Sequence, residues 1–191
     1  RNTPTFLQIS LPRSGSQYFF NTFTKGLGKL TRSAAMSGAF PDFVLHKKGL
    51  NNLIADHGAA HTHLGPSNFN LHELNSYYPK GPLVIHIREP RQNLISWLNY
   101  LPGTISQHPV FIEHYGMPKD YLDWPRENQL DWLIDNFLTK IIGWIKGWVA
   151  ASTADWFSPP ILVTHLEDLE ADQTAFYNQI LEFHGIKHEL F

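Results

Sequence analysis

The sequence of 191 residues contains no cysteine, so disulfide bridges, thiolate nucleophiles and thiolate metal ligands are all excluded. Net charge is small as well. Fifteen lysines and arginines against 17 aspartates and glutamates leave −2 with histidine neutral, and no global basic field draws such a chain to nucleic acid. No nucleic-acid partner is expected, and any anion site must be local. Long uncharged apolar runs are missing too: the most apolar stretch, 133–151, is broken by Asp135, Lys140 and Lys146 well short of a membrane span. No membrane-spanning helix is expected. The lack of cysteine fits a reducing compartment, and a cytoplasmic location is the expectation.

Apolar residues make up 42% of the chain, enough for a core without bridges. One domain over 1–191 is expected, with the start read as trimmed, processed or incomplete because it opens on Arg1-Asn2-Thr3 without methionine. Thr5 to Ser10 reads as a strand closed by the punctuation Pro12-Arg13-Ser14-Gly15. Phe19, Phe20, Phe23 and Leu27 then stripe a helix from Ser16 that Gly26 and Gly28 weaken. Further expectations are a helix over 49–55, a strand over 59–63, a helix over 71–77, a strand over 83–87 and a helix over 92–100.

The stretch from Pro102 to Pro125 reads as a long loop or lid and as the acceptor-binding region. Residues 127–151 carry apolar side chains at three- and four-residue spacing, which predicts one long amphipathic helix serving the core. A strand over 161–164 and a closing helix over 171–184, stopped by Gly185, complete the pattern. Alternating strands and helices predict an α/β fold in three layers. Its parallel β-sheet of about four to five strands is flanked by helices and P-loop nucleotide-binding-like, with ligands at the carboxyl ends of the strands.

Three segments carry chemistry. Leu11 to Tyr18 lies between a strand and a helix, where free N–H groups and the helix dipole suit an anion. Gly15 allows close approach, Ser14 and Ser16 offer hydroxyls, and Arg13 adds a fixed charge. The plain alternative is a turn with capping serines. The Gly-x-x-x-x-Gly-Lys-Ser/Thr pattern of ATP hydrolases is missing, so Mg²⁺-dependent ATP chemistry is not the natural inference. In the second segment Arg88 ends a strand and Ser96 follows in the next helix, a pair suited to a phosphate monoester; the alternative is an ion pair of Arg88 with Glu89 or Asp168. The third is Ala60-His61-Thr62-His63-Leu64, in which one imidazole near a strand end is suited to general-base work, and two histidines at this spacing also suit a metal.

Taken together, strand, Pro-Arg-Ser-Gly-Ser, Thr62-His63-Leu64, strand, Arg88-Glu89-Pro90-Arg91 with Ser96, and the late Leu166-Glu167-Asp168-Leu169 resemble the sulfotransferase family that uses 3′-phosphoadenosine 5′-phosphosulfate (PAPS). The order of these segments matches the family from about Thr5 to Ile186, while 103–158 matches nothing specific. The resemblance implies that Arg13, Ser14, Gly15, Ser16, Gln17 and Tyr18 hold the 5′-phosphosulfate, with the Tyr18 ring against adenine. It further implies that Arg88 and Ser96 hold the 3′-phosphate, that His63 is the catalytic base, and that Arg13 stabilises charge on the departing phosphate. His61 falls at a lysine of the family pattern.

Three departures stand out. Leu166 replaces a tyrosine of the family, with His165 beside it as a substitute adenine contact; Gly65 separates Leu64 from Pro66; and the sequence stops at Phe191, before the family's basic glycine-rich segment. Either that segment lies beyond the sequence or the site is open there. No cofactor besides PAPS and no metal is expected, and the acceptor is a small molecule or glycan. An ATP-dependent kinase and a non-catalytic nucleotide-binding protein of the same fold are the alternatives.

Overall fold

The structure is a computed structural model that describes residues 3–36 and 40–191. Its elements in chain order are β1 (Phe6–Ser10), α1 (Ser16–Leu27), β2 (Ala35–Met36), β3 (Val44–Leu45), α2 (Lys47–Ala55), β4 (Ala59–Thr62), α3 (Asn68–Tyr77), β5 (Leu83–Ile87), α4 (Pro90–Gln107), α5 (Val110–Tyr115), α6 (Arg126–Leu133), α7 (Thr139–Ser152), β6 (Ile161–His165), α8 (Leu166–Ala171) and α9 (Gln173–Phe183). They divide into two compact units. The first joins the residues up to Arg88 with Trp144–Phe191; the second is Glu89–Gly143.

The first unit is built on a four-stranded sheet in the order β4-β1-β5-β6, parallel throughout and flanked by helices, as the alternation predicts. From β1 the chain first adds β4 on one side and later β5 on the other. The strand order therefore reverses between β1 and β5, the point at whose carboxyl ends open α/β sheets receive ligands. Phe6 of β1 turns to the face covered by α1 and α9, where Phe19, Phe20, Phe23, Leu166, Phe176, Tyr177 and Ile180 form one buried cluster. Phe6 and Phe23 rings lie 4.3 Å apart. By the two-residue alternation Leu7 and Ile9 face the other way, and both are buried. The short antiparallel pair β2–β3 was not foreseen from sequence.

The expected closing helix is α9, and a short helix α8 that was not foreseen precedes it. Asp172 separates the two and caps α9, its carboxylate accepting from Ala175 N at 3.0 Å. Gly185 at φ 63 then ends α9, with Gly185 N bonded to the Glu182 carbonyl and Ile186 N to that of Leu181.

The second unit corrects the expected loop over 102–125. Helix α4 runs through Pro102 to Gln107, α5 follows, and a short 3₁₀ turn occupies Tyr121–Asp123. Proline has no N–H to give the Leu98 carbonyl one turn back, a loss that ordinarily stops a helix. Here Arg126 Nη1 donates to that carbonyl at 2.9 Å. The 3₁₀ turn is held from within the unit: Gln129 Nε2 donates to the carbonyls of Tyr121 and Trp124, both at 3.1 Å. Tyr100, Phe111, Tyr115, Tyr121 and Trp124 pack against neighbouring rings of the same unit. The expected long helix over 127–151 runs as α6 and α7 joined by one π-helical stretch, Ile134–Leu138. No helix of the described residues is long and apolar enough to cross a membrane.

Candidate active site at the carboxyl end of the sheet

The loop after β1 is shaped by its inward-facing polar groups. Arg13 and Gly15 both adopt left-handed backbone, φ 66 and 69, and Gly15 begins α1 without any side-chain cap on the first turn. A Cβ on Gly15 would also meet Leu166 Cδ1 at 2.7 Å, so the Leu166 side chain closes against the glycine. Ser14 is fully buried, and its hydroxyl donates to the Leu11 carbonyl at 2.6 Å, inside the loop. Ser16 is buried as well, its carbonyl accepting from Gln8 Nε2 at 3.1 Å. Gln17 and Tyr18 are exposed on the first turn of α1, and Gln17 Nε2 donates to Asn21 Oδ1.

Arg88 follows β5 immediately and donates from Nη1 to the Arg13 carbonyl at 3.2 Å, which brings it to the loop. Glu89, one of the partners weighed for Arg88 from sequence, pairs with Arg91 at 2.8 Å and caps α4 through Gln92 N. Ser96 lies on α4 in the second unit and is half-buried.

His63 stands just past the end of β4, its Nδ1 2.7 Å from the Ser10 carbonyl at the end of β1. A carbonyl can only accept, so the proton sits on Nδ1 and Nε2 carries the lone pair. Burial lowers the His63 pKa below its ordinary value of 6.5, with the Ser10 hydrogen bond pulling partly back, which leaves a neutral imidazole at pH 7. The segment behind it is fixed from several sides. Trp144 and Trp148 indoles both donate to the Leu64 carbonyl, at 2.8 and 3.2 Å. Buried Asn70 donates to the carbonyls of Phe43 and Gly65 and accepts from Leu45 N. The inserted Gly65 is needed there, because a Cβ would lie 2.4 Å from the Pro41 carbonyl.

His61 packs edge-on to His63, ring centroids 4.9 Å apart, and burial drives its pKa to about 3. Among the described residues no group of three or more histidines, aspartates and glutamates is placed to hold a metal ion.

Sequence reasoning missed His86. It lies within the apolar run of β5, fully buried, with Nε2 2.9 Å from the Ser14 carbonyl and Nδ1 3.0 Å from Thr164 Oγ1. Gln8, Ser10, His86 and Thr164 are all buried polar residues on the face that carries α1. Polar residues in otherwise apolar central strands were the available signal.

Within the first unit, then, the loop 11–18, His63 and Arg88 gather at the carboxyl ends of β1, β4 and β5. No protein-family model matches the chain, and neither does any curated protein sequence. Solved structures do match. A sulfotransferase from Alicyclobacillus acidocaldarius superposes with a TM-score of 0.58 at 11% identity, over 98% of this chain and 83% of that one. Mouse sulfotransferase SULT7A1, complexed with PAP, gives 0.59 at 13% identity over 96% of this chain, which spans 58% of the mouse chain's length. The chain has the sulfotransferase fold.

Proposed function

We propose that this protein transfers the sulfuryl group of PAPS to an acceptor hydroxyl or amine, with His63 as the base. The observation that carries the reading is the fixed tautomer of His63, whose bond to the Ser10 carbonyl leaves Nε2 as the ring's basic nitrogen. The sulfotransferase fold supports it, and one solved relative in fold is a PAP complex. The residues present fit such a donor: an uncapped helix start at Gly15 receives the 5′-phosphosulfate on backbone N–H groups, and Arg88 at the adjoining strand end receives the 3′-phosphate.

In this reading the Nε2 atom of His63 takes the acceptor's proton as the acceptor oxygen or nitrogen bonds to sulfur. The bond from sulfur to the 5′-phosphate breaks, its electron pair leaving with the phosphate oxygen. Arg13 and the loop N–H groups stabilise that charge electrostatically, since arginine does not give up its proton. Ser14 contributes through its backbone, its hydroxyl being committed to Leu11. Ser96 enters by resemblance, and Ser96→Ala tests its share. The acceptor is a small molecule or glycan.

Product analysis with PAPS and a panel of phenols, sugars and amines is the test. A sulfated product that disappears in His63→Ala supports the reading; a phosphorylated product from ATP, or no product with either donor, overturns it.

A further inference from the structure

Resting on that functional reading, we propose that His86 is a positioning residue. Its imidazole fixes the direction of the Ser14–Gly15 peptide and thereby holds the loop in its anion-receiving form.

His86 grips the loop at two points: its backbone carbonyl accepts from Leu11 N at 2.8 Å, and its ring meets the Ser14 carbonyl at 2.9 Å. Because that carbonyl only accepts, Nε2 carries the proton; Nδ1 is then the acceptor for the Thr164 hydroxyl at 3.0 Å. The arrangement is built into the sheet, since Ser10, His86 and Thr164 are register partners across β1, β5 and β6. A trans peptide is planar, with its C=O and N–H pointing in opposite directions. Drawing the Ser14 carbonyl down onto His86 therefore turns the Gly15 N–H up, away from the sheet. Arg88 fixes the preceding peptide in the same way, through its bond to the Arg13 carbonyl at 3.2 Å. Successive backbone N–H groups held in fixed directions form an anion-binding concavity.

Glycine is the residue least able to resist a reversal of this peptide, because it accepts either sign of φ. The direction must come from the hydrogen bond. With the imidazole gone, the Ser14 carbonyl loses its buried donor, and the peptide turns it toward water, where it faces a bound phosphate.

The test titrates adenosine 3′,5′-bisphosphate into wild type, His86→Gln and His86→Leu, alongside ¹⁵N spectra of the wild-type histidine rings. Glutamine retains an N–H donor for Ser14 and leucine does not. His86→Leu is expected to weaken binding by about tenfold, the consequence of one unpaired buried acceptor, with His86→Gln restoring most of it. The His86 ring is expected to show its proton on Nε2. Wild-type affinity in a folded His86→Leu protein overturns the proposal, as does a ring protonated on Nδ1 instead. Should wild type fail to bind the bisphosphate, the functional reading falls, and the ring spectrum alone still decides whether His86 donates to the loop.

Discussion

The two ends of the central sheet treat charge in opposite ways. At the carboxyl end, the Leu11 and Ser14 carbonyls are turned inward onto Ser14 Oγ and His86, the Arg13 carbonyl accepts from Arg88, and the start of α1 has no side-chain cap. At the amino end, carbonyls converge instead on a cation. Lys29, just past α1, donates from Nζ to the carbonyls of Pro4 and His57 at 2.5 and 2.9 Å. The same helix has its positive dipole end at one pole, which favours an anion, and its negative end at the other, where the Lys29 ammonium has the opposite sign. A cavity of about 500 Å³ does open at the amino end, lined by Lys25, Lys29, Asp56 and His57 among others. The Lys29 ammonium there is already bonded to backbone, and the proposed anion site is the opposite pole.

Changes at the carboxyl end should alter turnover and binding, whereas changes at the amino end should alter stability alone. The largest expected effect is that of His63→Ala, a loss of about 10²- to 10⁴-fold in turnover with bisphosphate affinity retained, read by steady-state kinetics beside calorimetry. Arg88→Ala should weaken bisphosphate binding by about ten- to a hundredfold, because a charged donor is lost. Lys29→Met should lower stability by about 0.5–1.5 kcal/mol in urea unfolding, since part-buried and exposed carbonyls lose their donor, while leaving bisphosphate affinity unchanged. Loss of affinity in Lys29→Met would break the division between the poles.

Acid pH sharpens the same contrast. Burial holds His86 and His184 at about 4 and His61 at about 3, whereas each takes up a proton near 6.5 once unfolded. The unfolded chain therefore binds more protons below 6.5, and stability should fall as pH drops from 6.5 toward 4 while staying level just above that window. His63 is also held below 6.5, so the acid limb of kcat/KM should lie below 6.5 too. A limb centred above 6.5 would exclude His63 as the base.

Local signals made the placement of the candidate residues readable in sequence. The strand-loop-helix start, the Thr62-His63-Leu64 strand end and the Arg88 strand end each depend on a few adjacent residues, and each occupies the expected strand end. The supports were not readable, because their partners are distant. Pro102 marks a helix end by local rules, and only Arg126, across a turn of the second unit, explains why α4 continues. Trp144 and Trp148 read as core stripe and are buried, but nothing in the stripe announces that both indoles bond the carbonyl next to His63. His86 was hidden in the same way, by an apolar run whose one polar member looked incidental.

The most direct measurement is calorimetric binding of adenosine 3′,5′-bisphosphate, compared with ATP and adenosine 5′-phosphate in the absence of metal. A clear preference for the bisphosphate, lost in Arg88→Ala, is the predicted result; equal affinity for all three nucleotides would contradict the assignment of the carboxyl end as a PAPS site.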